Sequence, residues 1–224
     1  MLIVLAKAPV PGRAKTRLCP PATPAQAAAV AAGALLDTLD ATTAVPRTRT
    51  VVAFTGDLAA AARAREVGAA VGRADRIAQR GNGLGSRIAA AHHDAAARHP
   101  GLATLQIGMD TPQVDPPLLA HCLDRLGGHD TDAVLGLAHD GGWWALGLRD
   151  PADAALVTDV PTSRSDTGAR TLSALLGSGL RVTLLPELTD VDTVEDARAV
   201  AALVPGSRFA AAVDAIGTPP GSTA

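Results

Sequence analysis

The chain of 224 residues sets 20 Lys and Arg against 22 Asp and Glu, a net charge of −2, and 47% of it is hydrophobic although it holds only two Trp, two Phe and no Tyr. That charge balance gives no general reason to expect a nucleic-acid or membrane-surface partner, and the length suits one large domain with a real core. A core limited to Ala, Val, Leu and Ile favours helices packed on a Val/Leu-rich parallel sheet over an aromatic-rich sandwich.

In chain order, Leu2–Leu5 is a short apolar run that predicts a buried strand, too short and too soon followed by Lys7 for a signal peptide or membrane span. The loop after it carries Lys7, Arg13, Lys15 and Arg17 with no acidic residue. Its Lys15-Thr16 end superficially resembles a Walker A element, but Pro9 and Ala14 stand where glycines are required, which argues against an ATPase phosphate loop. Thr23 and Pro24 predict a capped start for an Ala-rich helix. Thr50–Phe54 reads as a strand, residues 58–66 as helix, and Gly68–Arg76 has no clear reading. Residues 79–88, QRGNGLGSRI, form a glycine-shaped loop leading into a helix of about three turns from Ser86.

Further along, residues 102–107 are a strand, Gly108–Pro112 a loop, and Pro116–Leu126 a helix capped by Asp115. Asp132–Leu137 and Trp143–Leu148 are paired strands about an Asp140-Gly141-Gly142 turn. A helix around Arg170–Leu176 precedes the strand RVTLL, and a final helix, VEDARAVAALV, is capped by Asp192 or Thr193. The expected domain runs over residues 1–204. Residues 205–224 form an extension whose end, from about Gly217, reads as disordered. Strands alternating with helices predict an α/β fold, a sheet with helices on both faces. The cysteines, Cys19 and Cys122, match no zinc or redox spacing, so a reduced cytoplasmic setting is the expectation.

Ligands of open α/β sheets bind beyond the carboxyl ends of the strands. The basic loop lies there, as an anion site or a solvated loop. Asp110 also follows a strand directly; it can hold Mg2+ or Mn2+ that bridges phosphate oxygens, or cap its own turn. Asp190 and Asp192 leave the last strand, and one of them could reach the same crevice. Gln79–Arg87 offers close backbone approach and a helix start. The chain's two Trp adjoin the Asp140-Gly141-Gly142 turn; one suits stacking at a cleft edge, the other anchoring the sheet. His92-His93 match no zinc spacing, and Ser163 and Ser165 lack a nucleophile elbow.

Taken together, KAPVPGRAKTRL, QRGNGLGSR, IGMDTP, LGLAHDGGWWALGL and LPELTDVDTVEDA resemble, in order and from about residue 3 to 204, the small bacterial GT-A-fold glycosyltransferase-like family. That family includes arsenosugar-biosynthesis and radical-SAM/selenodomain-associated transferases and is related to molybdenum-cofactor and phospholactate guanylyltransferases. The resemblance implies a three-layer, Rossmann-like, mostly parallel sheet of the nucleotide-diphospho-sugar transferase type. It places Lys7, Ala8, Gly12, Arg13, Lys15, Arg17, Gln79, Gly85 and Arg87 at a nucleotide and its phosphates. Asp110 and Asp192 fall at the metal, Mg2+ or Mn2+, and Asp140, Gly141, Gly142 and Trp143 on the acceptor side. Arg13, Lys15, Asp110 and Asp140 are the catalytic candidates. Where the family pattern has a glycine-aspartate-leucine-glycine string this chain has Gly81-Asn82-Gly83-Leu84-Gly85, so an expected acid is missing; Gln113 replaces another acid, His139 a Glu and Trp143 a Tyr. The expected activity is glycosyl transfer from an NDP-sugar to a small-molecule acceptor. The alternatives are nucleotidylyl transfer from an NTP with release of pyrophosphate, and a non-catalytic nucleotide-binding protein on a degenerate transferase fold.

Overall fold

A computed structural model describes residues 1–216; the tail expected to be disordered from about Gly217 lies outside the described residues. Seven strands form one sheet: β1 Leu2–Lys7, β2 Thr50–Thr55, β3 Asp75–Ala78, β4 Thr104–Gly108, β5 Ala133–Ala138, β6 Trp143–Leu148 and β7 Val182–Leu188. Their spatial order is β3-β2-β1-β4-β6-β5-β7. All neighbours are parallel except β6, which runs antiparallel between β4 and β5. The helices are α1 Pro24–Thr43, α2 Ala64–Gly72, α3 Leu84–Arg98, α4 Pro116–Gly127, α5 Thr167–Gly177, α6 Val194–Leu203 and α7 Arg208–Asp214.

Strand alternation explains the layers. Leu2, Val4, Leu105, Ile107 and Val134 face one side and pack with α1, α2 and α4 residues such as Leu35, Val67 and Leu119. On the opposite side, Ile3 and Ala53 pack with Ala91 and Ala95 of α3, and Leu135 and Leu146 with Ile88 of α3 and Leu175 of α5. Sequence order leaves β1 in one direction toward β2 and β3 and in the other toward β4, so the connections diverge between β1 and β4. Such a divergence opens a crevice at the carboxyl ends of the two strands.

Several local expectations move. Residues 58–63 form turns instead of helix, and α2 begins at Ala64, because Asp57 accepts from the Ala59 backbone N–H and holds a turn there. The segment without a clear reading completes α2 and supplies the short edge strand β3. α3 starts at Leu84 and runs 15 residues, longer than the three turns expected. Thr193, not Asp192, caps α6: its hydroxyl accepts from the Asp196 N–H while the Asp196 carboxylate accepts from the Thr193 N–H, a complete capping box. Thr23 and Gln26 cap α1 the same way. Within the extension, α7 packs on α1 with Phe209 fully buried, and the Asp37 carboxylate accepts from the Phe209 N–H at 2.8 Å.

Candidate functional site

The loop after β1 turns at Gly12, whose φ of +75° suits glycine, and then places Lys15 in the left-handed region at φ +48°, ψ +41°. A lysine held there carries backbone strain of about 1–3 kcal/mol. Its ammonium contacts offset that strain: it meets Asp110 Oδ2 at 2.9 Å, stands 4.0 Å from Asp192 Oδ1, and donates to the Val191 carbonyl. The Lys15 side chain is 9% exposed. Arg17 donates to Asp192 Oδ2 at 2.6 Å. A loop with no acid of its own thus finds its counter-charges on two other loops.

Lys7, Arg13, Lys15 and Arg17 line a mouth of about 180 Å³ together with Asp110 and Asp192. This mouth opens beside a larger crevice of about 730 Å³ that reaches from Thr55 and Gln79 at β2 and β3, across Asp110, to Asp140, Trp143 and residues 162–165 and 167. Asp190 lines it as well. Burial first, then the neighbouring carboxylates of Asp110 and Asp140, push the Asp190 acid up to about 7 against the opposing pull of Lys15. Asp190, weighed beside Asp192 in the sequence, is therefore the acid of the pair set more deeply among the other carboxylates. Asp192 remains at the crevice, shared between Lys15 and Arg17.

The aromatic pair splits as strand alternation requires. β5 and β6 shift register between Gly136 and Leu137, a bulge that pairs Gly136 with Ala145 but Leu137 with Trp143. Trp144 is buried and donates through Nε1 to the Pro186 carbonyl at 2.9 Å, crossing so close to Gly136 that a Cβ there would stand 2.4 Å from the indole. Trp143 faces the crevice. Asp140 is exposed at the rim, where its Oδ1 accepts from the Gly142 N–H at 2.8 Å.

Four residues that the resemblance assigns to the site, Ala8, Gly12, Gly85 and Gly141, wall neither the mouth nor the crevice. Gly85 lies within α3, buried, where a Cβ would come within 2.4 Å of the Thr158 carbonyl oxygen and 2.6 Å of that of Val157. Its lack of a side chain lets α3 pack on the turn at Pro151–Val157, and it does not wall the crevice. Gly141, at φ +86°, accepts the backbone of Ser165 so closely that a Cβ would sit 1.9 Å from its oxygen. Ala8 is buried against Gly56, and Ala8 and Gly12 wall neither the mouth nor the crevice. Gln79 does line the crevice; its Nε2 donates to the carbonyls of Ala6 at 2.7 Å and Ala53 at 2.9 Å. Arg87 lines it beside Leu84.

Other crevice residues carried no readable pattern. The segment 162–167 is tied to the turn after β5 by the Gly168 N–H, which donates to the Gly141 carbonyl at 2.8 Å. Gln106 and Thr111 are 3% and 1% exposed and line the crevice, and the polar side-chain atoms Gln106 Oε1 and Thr111 Oγ1 have no hydrogen-bond partner. A lone Gln inside the apolar strand LATLQI was the available signal. Gln113, standing where the family pattern has an acid, donates from Nε2 to the Thr189 carbonyl at 2.7 Å and so ties the Asp110 loop to the Asp190 loop.

Among the described residues no three carboxylate, imidazole or thiolate groups close into a ready metal cage. The donor set nevertheless suits a hard cation. Mg2+ takes one or two carboxylates and completes its shell with water and substrate phosphates, and the Lys15 ammonium already stands as a positive charge between Asp110 and Asp192.

Three comparisons bear on this arrangement. A 111-residue stretch is 35% identical to the phosphoenolpyruvate guanylyltransferase of Nocardia farcinica (strain IFM 10152), covering 50% of this chain and 49% of that protein, so the match spans about half of that relative. The crystal structure of a protein named as a nucleotide-diphospho-sugar transferase from Desulfovibrio desulfuricans G20 superposes with a TM-score of 0.82 at 25% identity, covering 95% of this chain and 93% of that one. A cytidylyltransferase from Leptospira borgpetersenii serovar Hardjo-bovis shares the fold at a TM-score of 0.57 and 13% identity, over 96% and 92% of the two chains. The sheet is accordingly a nucleotide-diphospho-sugar transferase fold, as the family resemblance implies. Residues 38–164 match the family described as uncharacterized protein conserved in bacteria (DUF2064), and the chain belongs to it.

Proposed function

We propose that the protein is a nucleotidylyltransferase that joins an NTP to a phosphorylated small molecule and releases pyrophosphate. The observation that carries this reading is the meeting of the Lys7-Arg13-Lys15-Arg17 mouth with the carboxylates of Asp110, Asp190 and Asp192 at the carboxyl ends of β1 and β4. The likeness to a guanylyltransferase supports nucleotidylyl over glycosyl transfer.

In this reading the triphosphate lies in the cationic mouth, where Lys7, Arg13 and Arg17 hold its outer phosphates. Asp110, with Asp190 or Asp192, would hold Mg2+ or Mn2+, which when bound supplies charge neutralisation at the phosphate oxygens. An oxygen of the acceptor's phosphate attacks the α-phosphorus; the new P–O bond forms as the bond to the β-phosphate oxygen breaks, and pyrophosphate leaves. Fixed cations where charge collects on the leaving group supply the electrostatic part of such catalysis. Asp140 and Trp143 stand on the acceptor side of the reacting centre. A phosphate nucleophile is already ionised at pH 7, so no general base is required, and Asp140 orients the acceptor.

The Desulfovibrio protein's description favours a second reading, glycosyl transfer from an NDP-sugar. One assay separates them. The protein is incubated with Mg2+, each NTP and a panel of phosphorylated acceptors, and in parallel with NDP-sugars. Pyrophosphate release that depends on Asp110 supports nucleotidylyl transfer, and NDP release supports glycosyl transfer. Nucleotide binding unchanged by Asp110→Ala with no turnover on any donor would favour a non-catalytic binding protein. Absence of any nucleotide-induced rise in Tm overturns all three.

A further inference from the structure

Two glutamines line the crevice, Gln79 and Gln106, and a third, Gln113, lies on the Asp110 loop beside it; Gln79 and Gln113 serve the protein's own backbone. Gln79 ties β1 and β2 carbonyls, and Gln113 ties two loops. Gln106 does neither. It projects from β4 on the α3 side of the sheet, the side shared by Ile3, its register partner on β1. There it is 3% exposed, its Oε1 has no hydrogen-bond partner, and it lines the crevice. Thr111, 1% exposed just past Asp110, repeats the pattern with an unpartnered hydroxyl on the same crevice.

A buried polar group without a partner is disfavoured, and native proteins keep few of them. Thr38, Thr50, His92 and Gln113 each carry such an atom away from the crevice; Gln106 and Thr111 are the two of this group whose residues line it. Gln106 lies on β4 next to β6, the strand that carries Trp143, and away from Thr55 and Gln79 of the nucleotide half. Leu5, Ile88 and Trp143 give that end apolar walls, and the amide is the polar group among them.

We propose that Gln106, assisted by Thr111, is a specificity-determining residue that reads a hydroxyl group on the acceptor. Among the ionised and hydroxyl groups that a small phosphorylated acceptor carries, the chemistry selects a hydroxyl. The unpartnered oxygen needs a donor, and the adjacent amide N–H₂ needs an acceptor. A hydroxyl offers both, whereas an ammonium offers only donors and a carboxylate only acceptors. Sites built around such a bond reject the analogue that lacks the hydroxyl strongly, because the buried amide is then left unpaired. This inference rests on the transferase reading only in calling the ligand an acceptor.

The test uses the full chain and matched probes: 2-phosphoglycerate against phosphoenolpyruvate, which differ by loss of the hydroxyl as water, and glycerol 3-phosphate against n-propyl phosphate. Affinity is measured by calorimetry with and without Mg2+ and GTP, for wild type, Gln106→Met and Gln106→Leu. The expected result is at least about a tenfold preference for the hydroxylated member of a pair in wild type, reduced to less than about threefold in the variants. Both free variants stay within a few degrees of the wild-type Tm, because the Gln106 amide oxygen has no hydrogen-bond partner within the protein to lose. Equal affinity for both members in wild type, a preference that survives in the variants, or a Tm lowered by several degrees in both variants overturns the proposal. GTP binding to wild type without discrimination between the pairs sinks this inference alone. Discrimination without any nucleotide binding sinks the transferase reading alone.

Discussion

The two sides of the crevice are held together differently. On the β1 side, charges meet: Lys15 and Arg17 reach Asp110 and Asp192 from loops almost a hundred or more residues away. On the β5–β6 side, backbones meet: Gly141 admits Ser165, and Gly168 closes the contact with a hydrogen bond to the Gly141 carbonyl. The first arrangement can be re-paired by a ligand carrying phosphate, since Asp110, Asp192 and Arg17 are 44%, 41% and 71% exposed and such charges exchange partners at low cost, while the Lys15 side chain, 9% exposed, stays in place. The second has no slack, since a single methyl group would overlap an oxygen. Under the proposed function, the difference is that between a reactive side built for exchange and an acceptor side built for fixed shape.

Removing a charge from the first side breaks function first. Asp110→Asn is expected to lower the rate of pyrophosphate release on the order of 10²–10³-fold, about 3–4 kcal/mol of transition-state stabilisation, while Tm moves little because the Asp110 side chain is 44% exposed. Steady-state kinetics with a thermal melt checks both halves of the statement, and an unaltered rate would remove Asp110 from the chemistry.

Adding a methyl to the second side breaks structure. Gly141→Ala combines overlap with the Ser165 oxygen and a φ of +86°. It should cost about 2–4 kcal/mol, a fall of roughly 5–15 °C in Tm for a chain of this size. Calorimetry would read it, and a melt within a degree of wild type would show that the 162–167 segment moves freely.

Acid sharpens the comparison by testing the layer beneath both sides. His92 on α3 is fully buried, bonded through Nδ1 to the Thr104 hydroxyl at 2.7 Å, and burial lowers its pKa to about 3. The unfolded chain binds this proton near pH 6.5 and the folded chain does not. Stability is therefore fully present above about 6.5 and is lost as pH falls toward 3, by up to about 1.4 kcal/mol per pH unit from this one group. Urea melts of wild type and His92→Gln between pH 7 and 4 should differ in slope; parallel slopes would assign acid sensitivity elsewhere.

The smallest effect is expected at the rim. Arg17→Ala should cost about 0.2–1 kcal/mol, because Arg17 and Asp192 are 71% and 41% exposed, and the loss should shrink in high salt.

Much of the site was legible because charge and position are written locally. Four cations after the first strand and Asp110 after another could each be placed at a carboxyl end from the strand pattern, and the two tryptophans could be placed beside one turn. The choice between Asp190 and Asp192 was not legible, because both occupy one loop and only the burial of one distinguishes them. The packing of Gly85 on the Val157 and Thr158 carbonyls was not legible for a related reason: a glycine that admits a ligand and a glycine that admits a neighbouring backbone look identical in sequence. The start of α2 was missed because an Ala-rich run has helical propensity throughout, while the Asp57 turn overrides it locally.

The sequence by itself determined the alternation of strands and helices, the helix caps at Thr23 and Asp115, and which loops carry charge, since each depends on neighbours within a few residues. Only the tertiary structure decided that Lys15 lies between Asp110 and Asp192, that Gly141 clasps Ser165, and that Gln106 lines a crevice with no protein group bonded to its amide oxygen. These are meetings of segments up to 177 residues apart, fixed by strand order and register, and no local pattern encodes the distance between two loops that the sheet brings together.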